Sequence, residues 1–469
     1  MPIPIISVGQ MREWENATWK SGQTEAEVIR RVGKAVAEMA IRLTKPGELI
    51  IVLAGRGHNG ADARNALEQL EERRIDVLQV HDPEEDFEEL ETLLKLRPAL
   101  IIDGLFGIGI NRPLDAAWIR FIERINGFQL PVLAVDLPSG LNADTGEPQG
   151  AAVKAMLTLT VGAPKIGMLK KCAWPYVGRL EVATHIGLIP CPFKTETNWT
   201  APEDFAGLPQ LRSAASHKGT FGHLAIVAGS LGYHGAAVLA ARAAQRARPG
   251  LITLFPHEPA YLPCAAQLQA VMAQPWSPEK LPGEFDALLA GPGLAAADVP
   301  ETLKQQIREL WKTSQTPMIV DASALQWLPS GPTPSDSIRV ITPHPGEAAR
   351  LLEKSAEEIQ ADRAAALREL SNKFGNCWIV LKGHQTLIGR STGELFVNSS
   401  GNPALAQGGS GDALGGYLAG LLVQKQLQTD PLQTIRYAVW QHGATADLLQ
   451  RTRPNWVVED LVEALGSAT

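Results

Sequence analysis

The residues best suited to chemistry lie in the stretch 398–414, Asn-Ser-Ser-Gly-Asn-Pro-Ala-Leu-Ala-Gln-Gly-Gly-Ser-Gly-Asp-Ala-Leu. At its centre Gly408-Gly409-Ser410-Gly411-Asp412 runs into an apolar helical pattern over 413–422. Glycines let successive backbone N–H groups turn into one concavity. A helix starting there adds unpaired amides and the positive end of its dipole. Gly409, Ser410 and Gly411 thus make an anion cradle, with the Asp412 carboxylate above it. A base beside such a cradle suits removal of a proton from a hydroxyl while a phosphoryl group is transferred to it. The competing reading is structural: Asp412 charges its helix and the glycines form a tight turn.

The elements that must position these residues alternate. Strands are expected at 223–227, 251–255, 287–290, 318–320, 340–342 and 378–381, with a helix over 235–248. Gly, Pro and charged residues follow those strands: Gly229-Ser230, Gly291-Pro292-Gly293, Asp321, Pro343-His344-Pro345-Gly346-Glu347 and Lys382-Gly383-His384-Gln385-Thr386. Alternation of strands and helices implies a mostly parallel, doubly wound α/β sheet, which binds ligands at the carboxyl ends of its strands. Read alone, His344 is a turn histidine between prolines and Lys382 a solvated lysine, although its place after a buried strand weakens that view.

The first half repeats the plan. Thr24-Glu25-Ala26-Glu27 reads as a capping box opening a helix to about residue 43, with Val28, Val32 and Val36 on one face. The apolar run 49–54 suits a strand buried on both faces. Further strands are expected at 76–80, 99–102 and 132–135, and helices at 61–72 and 115–126. The carboxyl edge then gathers Gly55-Arg56-Gly57-His58-Asn59-Gly60, the segment 103–113 and Asp136-Leu-Pro-Ser-Gly140. The first of these matches the dinucleotide fingerprint Gly-x-Gly-x-x-Gly, with Asp82 as a candidate acidic partner. By themselves Asp103 and Asp136 are turn formers at strand ends.

A chain of 469 residues exceeds a single core, so two domains are expected. The Pro-rich segment 189–211 reads as a linker or strand-poor crossover, dividing the chain near Thr200 into 1–200 and 201–469. The composition, 45% hydrophobic and 20% charged, is that of a globular protein. A formal charge of −7 argues against nucleic acid or an anionic membrane as partner. The acidic run 82–91 is a solvated helix face. Cys172, Cys191, Cys264 and Cys377 are scattered, which favours reduced thiols over a disulfide scaffold or zinc site. With no basic leader and no run of 18 apolar residues, a soluble cytoplasmic protein is expected.

At this point the motifs resemble known families. Gly-x-Gly-x-Asn-Gly-x-Asp from Gly55, Asp-x-Leu-Phe-Gly-x-Gly-x-x-Arg-Pro from Asp103, Asp-x-Pro-Ser-Gly-Leu-x-x-Asp-Thr-Gly from Asp136, and the segment from Thr160 containing Lys165 are similar to the NAD(P)H-hydrate epimerase domain. The likeness spans about residues 1–195. It implies a Rossmann-like sheet that interconverts the C6 epimers of hydrated nicotinamide dinucleotides. It also implies a potassium ion held by Asn59, Asp103 and Ser139. Substrate contacts would come from Asn59, Gly60, Asp62, Gly107, Ile108, Gly109, Ile110, Asn111, Arg112, Pro113 and Asp136. Asp136 would be the acid/base, with Lys165 close by. The family's loop reads Asn-Asn-Gly-Gly-Asp-Gly, whereas this chain has His58-Asn59-Gly60-Ala61-Asp62-Ala63. Inside a helix the two added methyls are harmless; inside the loop they restrict φ and crowd a pyrophosphate. In the second case the domain would be a degenerate one kept for binding or assembly.

The second half, from about 205 to 469, resembles the ADP/ATP-dependent NAD(P)H-hydrate dehydratase domain of the ribokinase-like group. The likeness rests on Ser216-His217-Lys218-Gly219, Gly291-Pro292-Gly293-Leu294, the segment 343–347, Val380-Leu381-Lys382-Gly383 and the segment 398–412. Both halves, in this order, match the two domains of the bifunctional repair-enzyme family. The resemblance implies that Ala236, Gly293, His344 and Asp412 contact the hydrated dinucleotide. Lys382, Gly383, His384, Gln385, Thr386, Gly409, Ser410 and Gly411 would hold the nucleotide. It implies ADP or ATP with Mg²⁺ and K⁺, hydrates of NADH and NADPH (NADHX and NADPHX) as substrates, and a homotetramer or octamer. Two other readings share these motifs: a small-molecule kinase of the ribokinase group fused to a Rossmann-like domain, and a non-catalytic nucleotide sensor or scaffold.

Overall fold

The computed structural model describes residues 2–280 and 285–468. The chain forms two compact units, Ile3–Thr195 and Glu196–Thr469. The segment read as a strand-poor junction contains the strand Thr197–Trp199, which pairs in parallel with Leu395–Val397. Three residues are too few to show a period, so the prolines around them dominated the reading.

In the first unit six parallel strands run in the order Arg74–Gln79, Leu49–Ala54, Leu100–Gly104, Val132–Val135, Leu157–Val161, Arg179–Ala183. The apolar run 49–54 explains its own burial. Ile50 and Val52 join one core with Val28, Val32 and Val36 of the helix Glu25–Leu43. Ile51 and Leu53 face the other way, against Leu90, Leu94, Phe121 and Ile122. Side chains alternate along a strand, so helices cover both faces. Each fully buried aliphatic side chain contributes about 1.5–3 kcal/mol. Thr24 caps the helix Glu25–Leu43, its hydroxyl accepting from the Glu27 N–H.

The next helix starts earlier than its apolar pattern implies, at His58 rather than Ala61, and its α-helical part ends at Asn65. Backbone packing sets that start: a Cβ on Gly60 would stand 2.0 Å from the Gly55 carbonyl oxygen. Ala61 and Ala63 therefore lie within the helix, not in the loop. Ala63 is buried over Gly104, where an added Cβ would come within 2.5 Å of its methyl.

In the second unit one sheet runs Thr197–Trp199, Leu395–Val397, Leu387–Gly389, Trp378–Leu381, Arg339–Ile341, Met318–Val320, Ala287–Ala290, His223–Val227, Leu251–Phe255, Met272–Ala273. From Trp378–Leu381 onward every pairing is parallel; the two pairings that involve Leu387–Gly389 are antiparallel. The carboxyl ends of the parallel strands thus share one edge.

The helix Ser410–Leu422 is buried at every position from Ala413 to Leu422 and packs on His234–Arg246. Small residues bring the two backbones together. A Cβ on Gly416 would lie 2.0 Å from the Ala240 carbonyl oxygen, and one on Gly420 2.6 Å from that of Ala244. A methyl at residue 416 overpacks this seam. Gly416→Ala is therefore expected to cost about 1–3 kcal/mol, read as a lower urea midpoint with an unchanged m-value.

Candidate active sites in the two units

In the second unit, Asp412 stands in the first turn of the helix Ser410–Leu422, which begins three residues before its apolar pattern. Gly409 is the N-cap at φ +92°, and a Cβ there would also strike Leu239 Cδ1 at 2.5 Å. Only glycine fits that turn. Lys382, directly after its strand, reaches Asp321 Oδ1 at 2.8 Å and Glu347 Oε2 at 3.9 Å. A Cβ on Gly411 would be 3.3 Å from Lys382 Nζ, so the ammonium lies against the glycine turn. Burial pushes the Asp412 carboxyl up to about 7; Asp321 and Glu347 add to the rise and Lys382 opposes it. For Lys382, burial acts to lower the pKa, but Asp321, Glu347 and Asp412 raise it overall.

His344 fits the structural reading and leaves room for a functional one. Its Nδ1 accepts from the Gly346 and Glu347 amides at 3.0 and 3.3 Å, and its own N–H donates to Glu347 Oε2 at 2.8 Å. Half of the ring remains exposed. With Nδ1 an acceptor and burial lowering its pKa, the neutral ring carries its proton on Nε2. Behind the glycine turn, His442 Nε2 donates to the Ser410 carbonyl at 3.1 Å, and burial holds this ring neutral by lowering its pKa to about 4. Ala236 and Gly293 meet on the same edge: a Cβ on Gly293, at φ +65°, would lie 3.1 Å from the Ala236 methyl. Ser230 Oγ donates to the Gly293 carbonyl at 2.6 Å. In the turn after Lys382, Thr386 Oγ1 donates to the Gly383 carbonyl at 3.1 Å, and Gln385 adopts φ +53°.

In the first unit a cleft of about 910 Å³ opens at the carboxyl edge. Asn59, Asp62, Asp136 and all of Gly107, Ile108, Gly109, Ile110, Asn111, Arg112 and Pro113 line it. Gly60 and Lys165 are not in its wall. Gly60 is buried against the Gly55 backbone, and Lys165, wholly buried, lies behind Asp136. Lys165 Nζ donates to Asp136 Oδ1 at 2.5 Å, to Thr160 Oγ1 at 2.9 Å and to the Val161 carbonyl at 3.0 Å. Thr160 Oγ1 and the Val161 N–H also donate to Asp136 Oδ1, at 3.1 and 3.0 Å. Asp136 sits at φ +63°, a strained position for a non-glycine residue that turns its side chain back over the strand end. Asp62 is 8% exposed and its Oδ1 has no partner. Burial lifts its pKa well above the usual value, with Asp136 and then Glu15 and Glu25 adding to the effect.

Asp103 and Ser139 are wholly buried and interlocked. Ser139 donates from Oγ to Asp103 Oδ1 at 2.6 Å and from N to Oδ2 at 2.8 Å. Burial raises Asp103 to about 6, against these bonds and one from the Leu105 amide. Phe106 ties Asn59 to the pair: its carbonyl accepts from Asn59 Nδ2 at 2.8 Å and its N–H donates to Ser139 Oγ at 2.9 Å. Asn59 Oδ1 is buried without a partner. A cluster of hard oxygens with one orphaned acceptor fits a potassium ion.

Sequence reasoning missed several participants. Met11, Arg12 and Glu15 of the helix Val8–Lys20 enter the cleft from a distant stretch, and nothing local marks them. Asp82, the supposed fingerprint acid, instead accepts from the Glu84 and Glu85 amides and stays out of the cleft. The pairing of Asp321 with Lys382 spans 61 residues and follows only from the strand order.

An aspartate above a glycine turn on a helix N-terminus, at the carboxyl edge of a doubly wound sheet, defines a ribokinase-like phosphoryl-transfer site, here joined to a Rossmann-like unit. Known proteins narrow this further. A family described as NAD(P)H-hydrate dehydratase matches residues 224–465, and one described as YjeF-related protein N-terminus matches residues 62–167. The bifunctional NAD(P)H-hydrate repair enzyme Nnr of Coxiella burnetii is 31% identical over 93% of this chain and 93% of its own. That of Vibrio cholerae is 37% identical over 74% of this chain and 70% of its own. The ADP/ATP-dependent NAD(P)H-hydrate dehydratase of Bacillus subtilis, co-crystallised with ATP and Mg²⁺, aligns at 31% identity with a TM-score of 0.50, covering 55% of this chain and 92% of that one. The chain belongs to the bifunctional NAD(P)H-hydrate repair enzyme family.

Proposed function

We propose that the chain repairs hydrated nicotinamide dinucleotides: its first unit interconverts the R and S hydrates, and its second dehydrates the S form at the expense of ADP or ATP. The observation that carries the second activity is the buried Asp412 in the first turn of a glycine-capped helix, its pKa raised to about 7. A carboxylate so tuned is a competent base near neutrality. It takes the proton of the C6 hydroxyl as that oxygen attacks the terminal phosphorus and ADP (or AMP) leaves. Amides of Gly409, Ser410 and Gly411 stabilise the charge on the transferring group. The ring nitrogen then expels phosphate with its C6 oxygen, C5 gives up a proton, and NAD(P)H results. His344, Ala236 and Gly293 contact the dinucleotide, and Lys382, Gly383, His384, Gln385 and Thr386 the nucleotide. Among the described residues no group of three His, Cys, Asp or Glu is set to hold a metal ion. Mg²⁺ bound to the nucleotide phosphates would neutralise part of their charge. A kinase would instead release a stable phosphate ester, and the family membership disfavours it.

In the first unit Asp136, oriented by Lys165 and Thr160, is the acid/base at the hydrate's C6 hydroxyl. Asn59, Asp103 and Ser139 hold potassium, which supplies fixed positive charge beside the cleft. Because Ala61 and Ala63 lie in the helix, the altered glycine loop leaves the cleft open, which supports an active epimerase over a degenerate one. The protein acts in the cytoplasm as a homotetramer or octamer.

Three outcomes test this reading. Asp412→Asn lowers kcat for dehydration by about 10²–10⁴, followed by the 340 nm rise and phosphate release; a variant of near wild-type rate excludes the role. The base must be ionised, so wild-type kcat/KM for the S hydrate rises with pH through about 7 and then levels, and an acidic optimum contradicts it. Potassium at saturating concentration, on the order of 100 times its Kd, stabilises the wild type by about 2.7 kcal/mol in a thermal melt with sodium as control. Asn59→Ala, which removes the orphaned oxygen, loses most of that gain.

A further inference from the structure

The turn 382–386 is held by a residue with no assigned role. Arg363, the first residue of the helix Arg363–Lys373, sends its guanidinium under the turn. Its Nη1 donates to the carbonyls of His384 at 2.6 Å and Gln385 at 3.2 Å, and its Nη2 to that of Leu381 at 3.0 Å. The rigid planar fork of a guanidinium can hold three acceptors at fixed spacing, which an ammonium cannot. One cation thus gathers the carbonyl just before Lys382 and two at the tip of the turn.

That capture decides where the donors point. In a planar trans peptide the C=O and N–H of one unit face opposite ways. With the His384 and Gln385 carbonyls turned onto Arg363, the N–H groups of Gln385 and Thr386 face away from it. Among the described residues no acceptor meets either amide. Gln385 keeps this shape at φ +53°, left-handed backbone that a non-glycine residue adopts only under constraint. Its side-chain Nε2 is also buried without an acceptor. The turn is a donor-rich concavity beside Lys382, with its carbonyls covered from behind.

We propose that Arg363 is a positioning residue for the nucleotide: by holding three carbonyls it turns the amides of Gln385 and Thr386 toward the phosphates or ribose of ADP or ATP without touching the ligand. The inference rests on the reading of 382–386 as the nucleotide turn. In ordinary operation the substrate hydrate binds elsewhere on the edge, so Arg363 acts on one ligand and not on the other.

The experiment measures binding of Mg·ATP by calorimetry and steady-state kinetics of dehydration for wild type, Arg363→Ala, Arg363→Lys and Thr386→Pro, which deletes one of the two amides. Arg363→Ala is expected to weaken Mg·ATP by about tenfold or more, the scale of one lost charge-assisted hydrogen bond. The KM for the S hydrate and kcat at saturating nucleotide change little, and the epimerase activity of the same chain serves as an internal control for folding. Arg363→Lys falls between, and millimolar methylguanidinium restores nucleotide affinity to the alanine variant. If Arg363→Ala binds Mg·ATP like wild type while Thr386→Pro does not, the role of Arg363 is overturned and the turn keeps its nucleotide. If neither variant alters Mg·ATP binding, the turn is not the nucleotide site and both readings fall. A parallel loss of hydrate affinity, nucleotide affinity and kcat, unrelieved by methylguanidinium, makes Arg363 a general structural residue and also overturns the proposal.

Discussion

The second unit depends on an ion pair beside, but not including, the aspartate proposed as its base. Lys382 binds Asp321, at 2.8 Å, beneath the first turn of the helix Ser410–Leu422. Breaking a buried pair typically costs about 3–5 kcal/mol, so the ammonium is held on Asp321 and only partly offsets the rise at Asp412. Burial, Asp321 and Glu347 outweigh Lys382 at Asp412 and hold its carboxyl at about 7. If Lys382 paired with Asp412 instead, the carboxylate would be a weak base and the glycine turn a simple helix cap.

The first unit solves a related problem differently. There the lysine pairs with the proposed acid/base residue, Lys165 with Asp136 at 2.5 Å, and Thr160 and the Val161 amide share the same oxygen. One carboxylate oxygen is fully occupied, which fixes the direction of the other. Asp62, buried in the cleft wall without such a partner, carries a raised pKa. The two units use the same ingredients, an aspartate and a lysine at the carboxyl edge of a parallel sheet. They differ in which carboxylate receives the cation: Asp136 itself in the first unit, and in the second Asp321, a neighbour of Asp412.

Much of this was legible in the sequence. The strands His223–Val227, Leu251–Phe255, Ala287–Ala290 and Trp378–Leu381 coincide with the apolar runs that announced them, because a strand buried on both faces must be apolar throughout. The residues following those strands then fall on one edge by topology alone. Met318–Val320 is an apolar run that ends in Asp321, whereas Thr197–Trp199 and Leu387–Gly389, just as short, carry no period and were not found. Nor was the early start of the helix His58–Asn65, which depends on backbone contact between Gly60 and Gly55 rather than on side-chain pattern. Arg363 and Glu15 were invisible as site members for a common reason. Each acts through contacts with residues far away in the chain, and neither sits in a local motif.

The central claim is that the hydroxyl of the hydrate becomes a phosphate ester before it leaves. Its most direct test uses S hydrate carrying ¹⁸O at the C6 hydroxyl, incubated with the protein, Mg²⁺ and unlabelled ATP. Mass spectrometry of the products then follows the oxygen. Transfer of the label into inorganic phosphate is the predicted result, since the ester is broken at carbon; label recovered in water, with unlabelled phosphate, would contradict it.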